Sequence, residues 1–479
     1  MRFLKLLERK SLLFTLTRIQ YALTFFLKVK EQYTRKSAFI KIKAVKDKLL
    51  IISYSFPPDN VPAAQRPYFM AKYLGKQPLM ETIVLTTENS LSSLGKSKWA
   101  ELDDLNVLYT RFASNRSSDL SANHTLLTPK STPLNRLAQS LSHEILIPDK
   151  AIHWLFRAAK AARKILREDP SIKYIYSSSP SFVNHLVANM IKGKSNVRWI
   201  ADFRDFYYLN QIEDSKFLFR KFIDQRLEKT ILQNADLLNF TTQNMFDEYL
   251  YRYPFLKNKA EIVYNGFDEG EFDFKEVPNT KTRNKLIIFY AGSFYKGLRS
   301  PEPLLNAVER LIELKSLPSD SIEIRIAGNI PAEIFEAFKD YKIYSSIVML
   351  GIIPRKQALE EMINAHFLWL IIGSEKAHYF SFPVKGYEYI AARRHILNFA
   401  PPNSEAERII GELQCGTTFG IEAKDNDENV YKLIELFDLL KAGEFDKPIH
   451  IENSLLQKYT RKYQADQVFK SFQALSEQP

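Results

Sequence analysis

From Lys48 onward, short apolar runs alternate with amphipathic stretches, and the alternation stops once and then begins again. The runs KLLIISYS, ETIVLTT, NVLYTR, IKYIYSSS, NVRWIADF, ADLLNFTT and AEIVYN are too short and too continuously apolar for helices and predict buried strands. Between them lie helical patterns such as AAQRPYFMAKYLGK and HWLFRAAKAARKILRED. Strands that alternate with helices predict parallel sheets covered on both faces. The polar stretch FKEVPNTKTRNK, 274–285, predicts a linker, and LIIFYAGS, SIEIRIAG, SIVMLG, HFLWLII and HILNFA restart the pattern beyond it. The expected fold class is therefore α/β, two tandem Rossmann-like doubly wound domains facing a central cleft. Its parts are an N-terminal extension at 1–47, a first domain at 48–275, a second at 276–455, and a C-terminal helix at 456–479 that returns to the first domain. In such sheets ligands sit beyond the carboxyl ends of the strands. The Ser/Thr/Asn-rich region from Glu88 to Ser142 predicts an excursion with short helices.

The extension is where the charge lies. The chain of 479 residues has a net charge of +12. Residues 1–48 alone hold 13 Lys or Arg against 3 acidic residues, a net of +10. A basic body, and nucleic-acid binding argued from it, are excluded on that ground. The single cysteine, Cys415, excludes an internal disulfide framework and a cysteine-rich zinc site. The 8 histidines are scattered without ligand spacing, so no metal is expected.

Within the extension, SLLFTLTRIQYALTFFLKVK has an apolar stretch from Leu12 to Leu27 that Arg18 and Gln20 interrupt. It falls short of the ~20 apolar residues that span a bilayer. No small-residue cleavage site follows, which argues against a signal peptide. A basic helix with Leu and Phe on one side is expected to lie on an anionic membrane surface, or alternatively to pack on the main body.

The stretch FPVKGYEYIAARRHI, Phe382 to Ile396, poses a specific question. It follows a buried run and places Lys385 and Glu388 one turn apart at a helix start, just after Pro383. A helix N-terminus carries unpaired N–H groups and partial positive charge, so a lysine there works against helix stability. An anion bound outside the helix accounts for both the lysine and the free amides.

Five segments, taken in order, resemble the retaining GT-B glycosyltransferases of family 4, particularly bacterial envelope-polysaccharide members. They are YSFPPDNVPAAQRP at 54–67, IYSSSPSFVNHLVA followed by WIADFRDFY, IVYNGFD, YAGSFYKGLRSPEPLLNAV, and VKGYEYIAA. The resemblance covers about residues 49 to 475 in the right order. It implies that the second domain binds a nucleotide diphosphate sugar, UDP- or GDP-linked, without a cofactor or metal. Lys385 would then sit beside the diphosphate, and Glu388 would accept hydrogen bonds from the ribose hydroxyls. In the loop AGSFYKGLRS, Gly292 would allow a tight turn at the ligand, with Lys296 and Arg299 offering cations to the phosphates. Pro62, Ala63, Ala64, Gln65 and Arg66 would form the loop that approaches the acceptor or phosphate. Asp202, Arg204 and Asp205, at the end of a first-domain strand, are the candidate catalytic residues.

Two departures from the family pattern stand out. Phe380 occupies the position of the first of two glutamates eight apart, with Glu375 in the same loop but in another register. Pro62, Ala63 and Ala64 replace the usual glycines of the first loop. The DND at 425–427 has the Asp-x-Asp form of metal-dependent transferases, but its polar setting predicts a solvated turn.

The expectation is a retaining glycosyltransferase that moves a sugar from a nucleotide donor to a glycan or lipid-linked saccharide in cell-envelope polysaccharide synthesis. It would be cytoplasmic and peripheral on the inner face of the membrane. Two alternatives share the same donor site: a GT-B-fold nucleotide-sugar epimerase, and a non-catalytic binding or assembly subunit. Turnover without acceptor marks the first, and failure to bind any nucleotide sugar the second.

Overall fold

The computed structural model describes residues 46–59, 61–88, 102–110, 146–193, 195–207, 218–272, 285–294, 299–314, 316–422 and 427–477. The basic N-terminal segment, Lys296, most of the Glu88–Ser142 excursion, most of the 274–285 stretch and most of the DND motif lie outside them.

The first sheet is built from β1 (Asp47–Ile52), β2 (Met80–Thr87), β3 (Asn106–Thr110), β4 (Ile172–Ser178), β5 (Arg198–Phe203), β6 (Leu237–Phe240) and β7 (Ala260–Ile262). Its order is β3-β2-β1-β4-β5-β6-β7, with every neighbouring pair parallel. Its helices are α1 (Pro62–Gly75), α2 (Leu155–Glu168), α3 (Val183–Lys192), α4 (Leu218–Asn234) and α5 (Gln243–Arg252). The second sheet contains β8 (Leu286–Ala291), β9 (Ile322–Ala327), β10 (Ile347–Gly351), β11 (Phe367–Ile371), β12 (His395–Phe399) and β13 (Gly416–Phe419). It runs β10-β9-β8-β11-β12-β13, also parallel throughout. Around it lie α6 (Glu302–Glu313), α7 (Ala332–Phe338), α8 (Arg355–Asn364), α9 (Lys376–Tyr379), α10 (Val384–Ala392), α11 (Glu405–Leu413) and α12 (Asp427–Lys441). Then come α13 (Asn453–Gln457) and α14 (Arg461–Glu477).

The expected strands all form, but β3, β7 and β10, at the outer positions of their sheets, are half-buried or exposed instead of buried. A continuous run such as FLWLI in β11 is buried at every position because helices cover both faces of the sheet. Only β13 went unread: GTTF is four residues long and Phe419 is its one apolar residue, so it carries little apolar signal.

The chain reverses order from the centre of each sheet, so the carboxyl ends of β1, β4, β5, β8 and β11 open on one crevice between the two sheets. Three devices hold the sheets in register across it. Glu405, fully buried, accepts from the backbone N–H groups of Gln243 (3.3 Å) and Asn244 (3.0 Å) at the start of α5. Thr242 donates its hydroxyl to the Phe380 carbonyl at 2.6 Å. The third is the return of the chain: Phe267 N–H donates to Tyr459 O (3.0 Å) and Arg461 N–H to Phe267 O (2.9 Å). Gly266 is required there, because a Cβ would lie 2.0 Å from the Tyr459 carbonyl oxygen. Beyond that stitch α14 packs on α1 and the first sheet, with Phe472 4.7 Å from Tyr174 between ring centroids.

Candidate functional site

The second-sheet wall of the crevice is made by the turns after β8 and β11. Gly292 leaves β8 with φ +143°, and its N–H donates to Ala327 O at 2.8 Å. A side chain here would be strained, and its Cβ would come within 3.1 Å of the Lys385 ammonium. Gly328 has φ +141° and lies so close that a Cβ would sit 2.0 Å from Gly292 O. These two glycines let the turns after β8 and β9 pack backbone against backbone, directly beside Lys385.

Lys385 is the second residue of α10. Its Nζ is buried without a hydrogen-bond partner and stands 3.9 Å from the centroid of the Tyr290 ring. Burial pushes the ammonium well below its usual pKa, the Arg299 charge adds to that, and Glu388 opposes it. A cation–π contact offsets only part of what an ammonium loses on leaving water. The site is thus pre-set to gain from an anion.

Glu388 lies one turn further along α10 and is 8% exposed. Its Oε1 accepts from Arg355 Nη1 at 2.7 Å. Arg355 also grips Glu271 with Nε (2.8 Å) and Nη2 (2.5 Å). Sequence reasoning missed Arg355, although a cation at the first residue of α8, after a strand end and a proline, is a legible signal. Its partners Glu271 and Glu388 come from remote parts of the chain, so only folding reveals the fork.

On the first-sheet wall the expected residues separate into three roles. Arg66 and Asp202 are both fully buried and paired: Nε–Oδ2 2.8 Å and Nη2–Oδ1 2.7 Å. Arg66 also donates to the carbonyls of Val263 (3.0 Å) and Tyr264 (2.7 Å) and to Asn265 Oδ1 (3.3 Å). Ser178 donates to Asp202 Oδ2 at 2.6 Å. Burial alone would raise the Asp202 pKa, but Arg66 and Ser178 outweigh it and hold the carboxyl below its usual value. Asp202 thus spends its carboxylate on Arg66 and Ser178 inside the protein, and Arg66 braces α1 to β5 and the β7 exit.

Arg204 turns the other way. It donates to the Ala63 carbonyl (2.9 Å) and the Pro62 carbonyl (3.4 Å), while its Nε has no partner. The first loop is therefore seated by its carbonyls on Arg204, with Pro62 exposed, Ala63 and Gln65 half-buried, and Ala64 buried. Asp205 opens toward the crevice. It is exposed there, on the wall of the crevice that it lines with Arg204.

A cavity of about 190 Å³ joins the two walls. Arg204, Asp205 and Phe206 line one side, and Arg299, His378 and Phe380 the other. Phe380 packs edge-on against Phe206, with centroids 4.8 Å apart, so its position serves contact between the walls. A larger cavity of about 510 Å³ lies near His395, at the amino end of β12 and so at the wrong end of the sheet for the crevice. Among the described residues no group of His, Cys, Asp or Glu is arranged to hold a metal ion.

No family model matches the sequence, and no curated protein does. Solved structures do match the fold. Sucrose-phosphate synthase from Thermosynechococcus elongatus superposes with TM-score 0.61 at 12% identity, over 90% of this chain and 99% of that one. A glycosyltransferase from Rickettsia africae gives 0.58 at 13%, over 91% and 100%. HepE from Anabaena, solved with UDP and glucose, gives 0.54 at 11%, over 90% and 100%. The fold is GT-B. At these identities the likeness extends to the architecture: two parallel α/β sheets in one chain with a crevice between them. The crevice described above is the GT-B crevice, with Lys385, Glu388 and Arg299 on its second-sheet wall.

Proposed function

We propose that this protein is a glycosyltransferase that moves a sugar, with retention, from a nucleotide diphosphate sugar to a glycan or lipid-linked saccharide. Lys385 carries the reading. It is a buried ammonium with no hydrogen-bond partner, at a helix start facing a strand end, with Arg299 close enough to depress its pKa. Two cations placed together in a protein crevice raise each other's energy, and a diphosphate reverses the sign of that interaction. Glu388, held by Arg355, would accept from ribose hydroxyls. Catalysis in this reading comes from positioning and from stabilising the departing diphosphate with fixed cations and amides, with no metal.

The first domain, 48–275, would take the acceptor along the loop that Arg204 seats, and Asp205 is the acidic group left facing it. The second, 276–455, would take the donor. The basic segment at 1–47 would hold the enzyme on an anionic inner membrane surface. Among the described residues no helix is long and apolar enough to cross a membrane.

Calorimetry with UDP, GDP and their nucleosides tests the donor site. Lys385→Ala should weaken the diphosphate by about 1.5–3 kcal/mol, the range for bonds to charged groups, and leave the nucleoside nearly unchanged. Equal losses for both ligands would mean structural damage and remove Lys385 from the site. Breakdown of a nucleotide sugar at full rate without any acceptor would overturn the transferase reading itself.

A further inference from the structure

We propose that His378 contacts the glycosyl group of the donor, in the cavity it shares with Arg299, Phe380 and, from the opposite wall, Asp205. The inference rests on the donor reading above and adds to it the residue that meets the sugar.

The turn from β11 to α10 carries two buried polar atoms that nothing satisfies: Glu375 Oε2 and His378 Nδ1. Buried polar groups are nearly always paired, so two orphans within four residues call for a partner the chain does not supply. His378 is 8% exposed, and that exposure faces the 190 Å³ cavity shared with Arg204, Asp205, Arg299 and Phe380. The turn itself is well anchored. His378 N–H donates to Glu375 O at 2.9 Å, and the Phe380 carbonyl is taken by Thr242. The orphans therefore sit on fixed backbone, which is how a binding group is held ready.

Order along the crevice decides which part of a donor His378 meets. Glu388 and Arg355 mark the ribose end, and Lys385 with Arg299 the phosphates. The cavity that Arg299 lines is lined also by His378 and, from the opposite wall, by Asp205. The group that follows the second phosphate in a nucleotide sugar is the sugar. Burial, with the Arg299 charge, lowers the His378 pKa against the pull of Glu375, which favours the neutral ring. A neutral imidazole, with one nitrogen that donates and one that accepts, matches the acceptors and donors of sugar hydroxyls.

The test compares each sugar nucleotide with its bare nucleotide. Full-length wild type, His378→Ala, His378→Asn and Glu375→Gln are titrated with UDP, GDP, UDP-glucose, UDP-N-acetylglucosamine and GDP-mannose. His378→Ala should weaken the sugar nucleotide about 10-fold, the worth of one good hydrogen bond, while the bare nucleotide shifts less than about 2-fold. His378→Asn, whose amide reaches the Nδ1 position, should recover part of that loss. Equal losses for both ligands, or none for either, would overturn the assignment while leaving the nucleotide site standing. If wild type binds no member of the panel, the donor reading fails and this inference fails with it.

Discussion

Replacing Asp202 separates a brace from a catalyst. Asp202→Ala removes three hydrogen bonds, two from Arg66 and one from Ser178, and leaves the Arg66 guanidinium fully buried opposite carbonyls and an amide alone. Breaking a buried ion pair by deleting one partner costs about 3–5 kcal/mol. For a domain of this size that is a fall of about 6–20 °C in the melting of the first domain. Trp154 and Trp199 lie in the first sheet's core and Trp369 in the second's, so fluorescence and calorimetry together identify which domain melts. Removing both charges, Arg66→Met with Asp202→Leu, should recover part of that loss, because no unpaired charge is left buried, but not all of it, because the Val263 and Tyr264 carbonyls, Asn265 and Ser178 lose their partners. The pH dependence has a definite sign. The Asp202 pKa is lowered by folding, so its contribution is present above the ordinary value of 3.8 and is lost as pH falls through the folded value. If Asp202→Ala melts within about 2 °C of wild type yet abolishes turnover, the brace is wrong and Asp202 acts on substrate.

Other outcomes follow from the second-sheet wall and the N-terminal segment. Arg355→Ala should weaken nucleoside and nucleoside diphosphate alike, by about 1–2 kcal/mol, because it frees Glu388 without touching the phosphate cations; calorimetry that shows a diphosphate-selective loss would contradict this. Diphosphate binding should draw protons from the buffer, since an anion raises the depressed Lys385 pKa toward its usual value; binding enthalpies measured over a series of pH values in buffers of different ionisation enthalpy should show an interval of uptake below the usual lysine pKa, lost in Lys385→Ala. Deleting residues 1–45 should abolish binding to anionic vesicles, a binding to which each basic residue near the surface contributes about 1 kcal/mol and which in the full chain falls steeply with salt, and should leave turnover of a soluble acceptor nearly intact. A truncated protein that still binds vesicles would move the membrane contact elsewhere.

The division between what was legible in the chain and what was not follows interaction range. Alternating apolar runs announce parallel strands because strands between two helical layers are rich in apolar residues, so twelve of the thirteen strands among the described residues were readable, and β13 escaped because GTTF has a single apolar residue. Lys385 and Glu388 were legible as a pair because both lie on one turn of one helix, where spacing alone sets their geometry. That Lys385 stands on the Tyr290 ring, and that Glu388 is held by Arg355 and through it by Glu271, depends on segments as much as 117 positions apart meeting at one point. The three residues of ADFRD show the limit most clearly. Sequence places Asp202, Arg204 and Asp205 together at a strand end, but Asp202 sits within β5, where it meets Arg66. Arg204 and Asp205 lie just past the strand end and reach the crevice. Only tertiary structure decides which of neighbouring charges is neutralised inside and which is left for a ligand. That choice depends on what the rest of the chain brings alongside each one.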